Sequence, residues 1–154
     1  MHAFLEGCAI DEISLAIIRF LQQDGRMSNT EIAHRLEISE GTVRARINKL
    51  ISDGVLHIVA AVDPVKVGKK ALAIIGLQTS LPERERVAEK LSAFPEIRFM
   101  AYTTGNYDII LEVYAESNEQ LLEFVNQNLS TIEGIQKAEL SLQLKIVRDS
   151  YTWL

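Results

Sequence analysis

Between Ser39 and Ser52 the sequence sets small and polar residues against an apolar stripe at helical spacing. At about 100° per residue, Val43, Ile47, Leu50 and Ile51 share one face. The opposite face carries Gly41, Thr42, Ala45, Asn48, Lys49 and Ser52, with Arg44 and Arg46 on its flanks. Such a surface suits close approach to a duplex groove. Thr42, Asn48 and Lys49 can touch base edges, and Arg44 and Arg46 can reach phosphates. The free backbone N–H groups from Ser39 to Gly41 suit a further phosphate. A solvated helix with a few basic residues is the plain alternative, and acidic residues outnumber basic ones even in the first 54 positions. From Thr42 to Ser52, however, the chain holds Arg44, Arg46 and Lys49 and no carboxylate. Together with the two-helix spacing of Ser28–Ser52, this favours double-stranded DNA as the partner, with the second helix in the major groove.

A second candidate lies further along. Asp108 stands before the apolar run Ile109-Ile110-Leu111, where a carboxylate needs a partner. A cationic group would serve, and turn N–H groups near Gly105 can hold an anion. Tyr102 and Tyr107 can line such a site. The plainer reading is a two-residue Gly105-Asn106 hairpin turn flanked by packing tyrosines.

Three short helices must position the first site. Ile13, Ile17, Phe20 and Leu21 stripe one, capped by Asp11 or Ser14 and stopped by Gly25. Ser28 or Asn29 caps a second, with Ile32, Ala33 and Leu36 inward; Ser39 caps the third and Gly54 ends it. None can bury its stripe alone, so the three must pack together. A strand over Val55–Val62 follows, closed by Asp63-Pro64 and Gly68. Then come a strand (Ala71–Thr79), a helix (Pro82–Phe94), strands at Ile97–Thr104 and Tyr107–Ala115, a helix (Asn118–Leu129) and a strand (Ile135–Val147). This β-α-β-β-α-β order predicts a ferredoxin-like sandwich with both helices on one face of an antiparallel sheet. The fold class is therefore α+β. Residues 1–54 are expected as the helix-turn-helix domain, 55–68 as hinge strand and linker, and 69–154 as the ferredoxin-like domain, to which the family resemblance described below assigns effector binding and oligomerisation. Ala71–Leu77 is apolar at both parities, so the sheet's second face also wants burial, which points to a homodimer.

Composition agrees with a packed chain. The 154 residues are 47% hydrophobic and 24% charged, with a net charge of −5. A generally sticky polycation is excluded, so any nucleic-acid contact must be a local patch. No run approaches ~18 uncharged apolar residues, so no membrane partner is expected. Met1–Glu6 lacks the cationic start and apolar stretch of a secretory signal. Cys8 stands alone, and a cytoplasmic location is expected.

The ordered series of motifs resembles the Lrp/AsnC, or feast/famine, transcription regulators. Ile10-Asp11-Glu12-Ile13-Ser14 and Ile17 to Arg26 are similar to the family's first helix and turn. Ser39-Glu40-Gly41-Thr42-Val43-Arg44-Ala45-Arg46-Ile47-Asn48-Lys49-Leu50 resembles its recognition helix. Asp53-Gly54-Val55-Leu56 and Ala61-Val62-Asp63-Pro64 with Gly68 look like its hinge, and Gly105-Asn106-Tyr107-Asp108 like its Gly-x-x-Asp turn. The resemblance implies DNA binding through Ser39, Gly41, Thr42, Arg44, Ala45, Arg46, Asn48 and Lys49. It further implies a small amino-acid effector, rather than a resident cofactor, at Tyr102, Thr104, Gly105, Asn106, Tyr107 and Asp108. Dimers that assemble further, commonly into octamers, come with it. Ala138 and Leu140 stand where many members carry hydroxyls, which implies either a more apolar effector pocket or a site that no longer binds an amino acid.

Two other functions compete. An architectural DNA-compacting protein would share the helices and sense nothing. Some proteins of this architecture resemble tetrapyrrole decarboxylases that use histidines in the sheet domain. Here His2, His34 and His57 are the only histidines, all before residue 58 and best read as surface or hinge. With no Gly-rich phosphate loop, Ser–His pairing or metal-ligand spacing, an enzyme is not expected.

Overall fold

The computed structural model describes residues 10–150 and 152–154. His2 and Cys8 lie outside the described residues. The chain forms two compact units, one of residues up to 60 with 148–154 and one of residues 61–147. The last seven residues thus group with the helices, where the Leu154 N–H donates to Gln22 Oε1 at 3.3 Å.

The helical unit contains α1 (Glu12–Gln23), α2 (Asn29–Leu36) and α3 (Glu40–Ser52). Each begins at a side chain that accepts from an otherwise unpaired backbone N–H: Asp11 from Ser14, Ser28 from Glu31, and Ser39 from Thr42. Ile17, Ile18, Ile32, Ala33, Val43, Ile47, Leu50 and Leu56 form its core. Ile51 departs from the expected stripe and is 44% exposed, because at about 100° per residue it lies at the edge of that stripe, next to the exposed Arg44. Between α2 and α3 the chain turns at Glu37, whose φ of 55° is left-handed without being glycine.

The second unit pairs β1 (Ala71–Thr79), β2 (Ile97–Tyr102), β3 (Ile109–Ala115) and β4 (Ile135–Leu142) in the order β2-β3-β1-β4, antiparallel throughout. Helices α4 (Arg84–Leu91) and α5 (Asn118–Gln127) cover one face. There Ala73, Ile75, Leu77, Leu111 and Val113 meet Val87, Leu91, Leu121 and Phe124 in a buried core. The Phe94 and Phe124 rings meet edge to face, 5.5 Å apart. Leu72, Ile74, Ile110 and Phe99 alternate onto the other face.

Several expectations are corrected. Val55–Val62 is not a strand within the single chain: it has no ladder partner, and Val59 and Val62 are 77% and 64% exposed. The helix expected over Pro82–Phe94 starts as a 3-10 turn, Leu81–Glu83, and ends at Leu91. The last strand stops at Leu142 rather than Val147. The two-residue Gly105-Asn106 turn is instead a six-residue loop, 103–108. The Thr103 N–H donates to the Asp108 carbonyl at 3.0 Å and the Thr103 hydroxyl to the Tyr107 carbonyl at 2.7 Å. Gly105 takes the φ of 107° that this wider loop needs.

Candidate nucleic-acid interface and ligand loop

The expected outward face of α3 is present. Gly41, Thr42, Arg44, Ala45, Asn48 and Lys49 are exposed. A shallow groove runs along it, lined by Ser39, Gly41, Thr42, Ala45, Arg46 and Lys49. Gly41 brings no side chain and Ala45 only a methyl group to that lining, so a groove edge of a duplex can approach the helix closely.

The three cations of α3 are each engaged by a carboxylate. Arg44 donates to Glu40, one turn earlier. Lys49 Nζ lies 2.8 Å from Asp53 Oδ2, one turn later. Arg46 turns toward α1: its Nη1 donates to both oxygens of Asp11, at 2.7 and 2.6 Å, and to the Ser14 hydroxyl at 3.0 Å. Arg46 lines the groove, and its guanidinium also ties the start of α1 to α3. The bonds from Arg46, then those from Ser14, hold the Asp11 carboxyl down to about 2. Sequence reasoning missed Glu40, Asp11 and Asp53 as partners. Glu40–Arg44 and Lys49–Asp53 carry a readable i,i+4 signal, whereas Asp11 and Arg46 are 35 positions apart with no local signal.

The expected ligand residues are divided by the sheet. Tyr102 pairs with Ile109 and so faces the helix layer, where the Arg84 guanidinium lies 4.6 Å from its ring centroid. Tyr107 lies on the opposite face, its ring against Gly76 and its hydroxyl donating to Glu139. The two tyrosines do not line one site within a chain. Thr104, Gly105 and Asn106 form the exposed tip between them, and the Asn106 carbonyl accepts from Gln78 Nε2 at 2.8 Å.

Asp108 has the partner that the sequence left open. Its Oδ2 accepts from the Thr79 backbone N–H at 2.8 Å, where the β1–β4 register shifts. The carboxylate thus satisfies an N–H that the ladder leaves unpaired. On the open face, Glu139 accepts from Lys137 and Tyr107. Those bonds hold the Glu139 carboxyl below its usual range, and the bond to Glu139 raises the Tyr107 hydroxyl. Ala138 and Leu140 pair with Leu77 and Ile75, on the helix side. No cluster of potential metal ligands occurs among the described residues, and no helix there is long and apolar enough to cross a membrane.

A family model for winged helix-turn-helix DNA-binding matches residues 10–57, and one for the Lrp/AsnC ligand binding domain matches residues 72–153. An uncharacterized HTH-type transcriptional regulator of Pyrococcus horikoshii is 36% identical over 143 residues, covering 92% of this chain and 90% of that protein. The regulatory protein AsnC of Haemophilus influenzae is 32% identical, covering 91% of this chain and 96% of its own. The structure of E. coli AsnC superposes with a TM-score of 0.82 at 25% identity, over 92% of this chain and 98% of that one. A transcriptional regulator from Neisseria meningitidis, solved as a complex with L-Met, superposes with a TM-score of 0.84 at 24% identity, over 94% and 96%.

Proposed function

The chain belongs to the Lrp/AsnC family of transcriptional regulators, and from that premise we propose that α3 reads double-stranded DNA while loop 103–108 takes a small amino-acid effector. The observation that supports the first half most directly is the groove along α3, lined by Ser39, Gly41, Thr42, Ala45, Arg46 and Lys49. In the bound state Thr42, Asn48 and Lys49 face base edges, and Arg44, still paired with Glu40, reaches a phosphate with its free guanidinium N–H groups. Ser39 and Gly41 place backbone N–H groups at a second phosphate. Arg46 acts from behind by fixing α3 against α1.

For the effector, one oxygen of Asp108 is held by Thr79, which orients the carboxylate and leaves its other oxygen for an ammonium group. The N–H groups about Gly105 receive the effector's carboxylate. The L-Met complex of the Neisseria meningitidis regulator is of the ligand class proposed here. The protein acts in the cytoplasm as a homodimer whose open sheet faces, with Ile74, Ile110 and Phe99, pack together. Further assembly, up to an octamer, builds on that dimer.

Binding of a duplex followed against salt tests the DNA half. Arg44→Ala should weaken all sequences and flatten the salt slope by about one unit; unchanged affinity and slope would remove the phosphate role of Arg44. A thermal-shift screen of the twenty amino acids tests the effector half, since a ligand that binds only the folded state must raise Tm. If none does, an architectural DNA-compacting role takes its place.

A further inference from the structure

Glu40 is the sole acidic residue of α3, and it stands at the end of the helix that enters a groove first. Its carboxylate is fixed from two sides. Thr30, in the first turn of α2, donates to Oε2 at 3.1 Å, and Arg44 donates to Oε1. The side chain remains 44% exposed, in the first turn of α3.

A carboxylate that served only the helix start would need neither tether, because the N-terminal dipole favours an anion there whatever its orientation. A tethered anion in this place has two consequences for DNA. It repels phosphates, so sequences held through the backbone alone are disfavoured. It also offers acceptors and no donor. In the major groove the matching donor for a carboxylate is the N4 amino group of cytosine, whereas adenine pairs bidentately with amide side chains such as that of Asn48.

We propose that Glu40 is a specificity-determining residue whose carboxylate, held by Thr30 and Arg44, accepts a hydrogen bond from a cytosine N4 amino group in each half-site. This rests on α3 being the DNA-reading helix. Arg44, bonded to the same carboxylate, faces the neighbouring phosphate, so one ion pair reads a base and positions the backbone.

Selection from a random duplex pool tests this with the full chain as wild type, Glu40→Gln and Glu40→Ala. The wild type should enrich a motif with one fixed cytosine per half-site. Glu40→Ala should lose that preference alone and bind the unselected pool on the order of tenfold more tightly. Glu40→Gln should redirect the position to adenine, because a side-chain amide pairs with N6 and N7. The amide variant also keeps the helix start intact should the alanine variant fail to fold. If all three proteins enrich the same base at every position, Glu40 has no reading role and the inference is overturned, with α3 still the reading helix. If the wild type enriches no sequence at all, the reading of α3 fails first and this inference with it.

Discussion

The Tyr107 ring occupies the space that any side chain on Gly76 would need. A Cβ on Gly76 would sit 2.6 Å from Cγ and Cδ1 of that ring. The hydroxyl end of the same ring is bonded to Glu139, the residue paired with Gly76 on β4. Since Asp108 follows Tyr107, loop 103–108 is pinned to an inner strand of the sheet, β1, through one glycine. Gly76→Ala should therefore destabilise the sheet unit by about 1–3 kcal/mol, the usual cost of forcing a methyl group into a filled site. Denaturant unfolding checks this, and Tyr107→Ala in the same chain should recover part of the loss.

Asp11 carries both a helix cap and the tether to Arg46. Asn caps a helix as well as Asp does, so Asp11→Asn keeps the Ser14 N–H satisfied and removes only the charge. The folded carboxyl is lowered from 3.8 to about 2, so the stability it contributes is fully present above pH ~4 and is lost as pH falls toward 2. Acid titration of unfolding should show a shallower decline between pH 4 and 2 in Asp11→Asn than in the wild type. Equal declines would mean that Arg46 does not hold Asp11 in solution.

Asp108→Asn retains an acceptor for the Thr79 N–H and removes the negative charge offered to an ammonium group. Effector affinity, measured by calorimetry with the amino acid found in the thermal screen, should fall on the order of ten- to hundredfold. Effector-free DNA binding should stay within about twofold, because that contact belongs to the other unit. Unchanged effector affinity would place the ligand elsewhere.

Ile74 and Ile75 are adjacent in sequence and opposite in role. Ile75 is fully buried under the helices, while Ile74 stands half-buried on the open face. Ile74→Glu should give a folded monomer by light scattering and circular dichroism. Ile75→Glu should unfold the sheet unit outright, since it buries an unpaired charge. A dimer that survives Ile74→Glu would show that the open face is not the contact.

Much of this was legible where the signal was local. The strand Ala71–Thr79 was placed to the residue, because an apolar run between a lysine pair and Ser80-Leu81-Pro82 leaves little freedom. The helix start at Ser39 is legible for the same reason, and the start at Ser28 or Asn29 is legible to within one residue, since a cap and the N–H it binds are three residues apart. The tether of Arg46 to Asp11 was not legible, because only the packing of α1 on α3 creates it. Val55–Val62 has strand composition, but a strand needs a neighbour to pair with, and sequence pattern does not reveal whether the chain itself provides one. The Gly105-Asn106 turn was read too tight because the closing bonds come from Thr103 and Asp108 outside it.

The pairing of β1 with β4, in which Ala73 lies opposite Leu142, also sets an order of events during synthesis. The contacts among α1, α2 and α3 are close in sequence and can form as soon as Leu56 has cleared the ribosome. The sheet cannot close until β4 has emerged, and until then β1 presents an unpaired apolar edge to the cell. A nascent chain stalled after β3 would therefore carry packed helices, still without their C-terminal segment, in the same chain as an aggregation-prone half-sheet. Variants that weaken β4 should appear as poor yield of soluble protein before they appear as poor DNA binding.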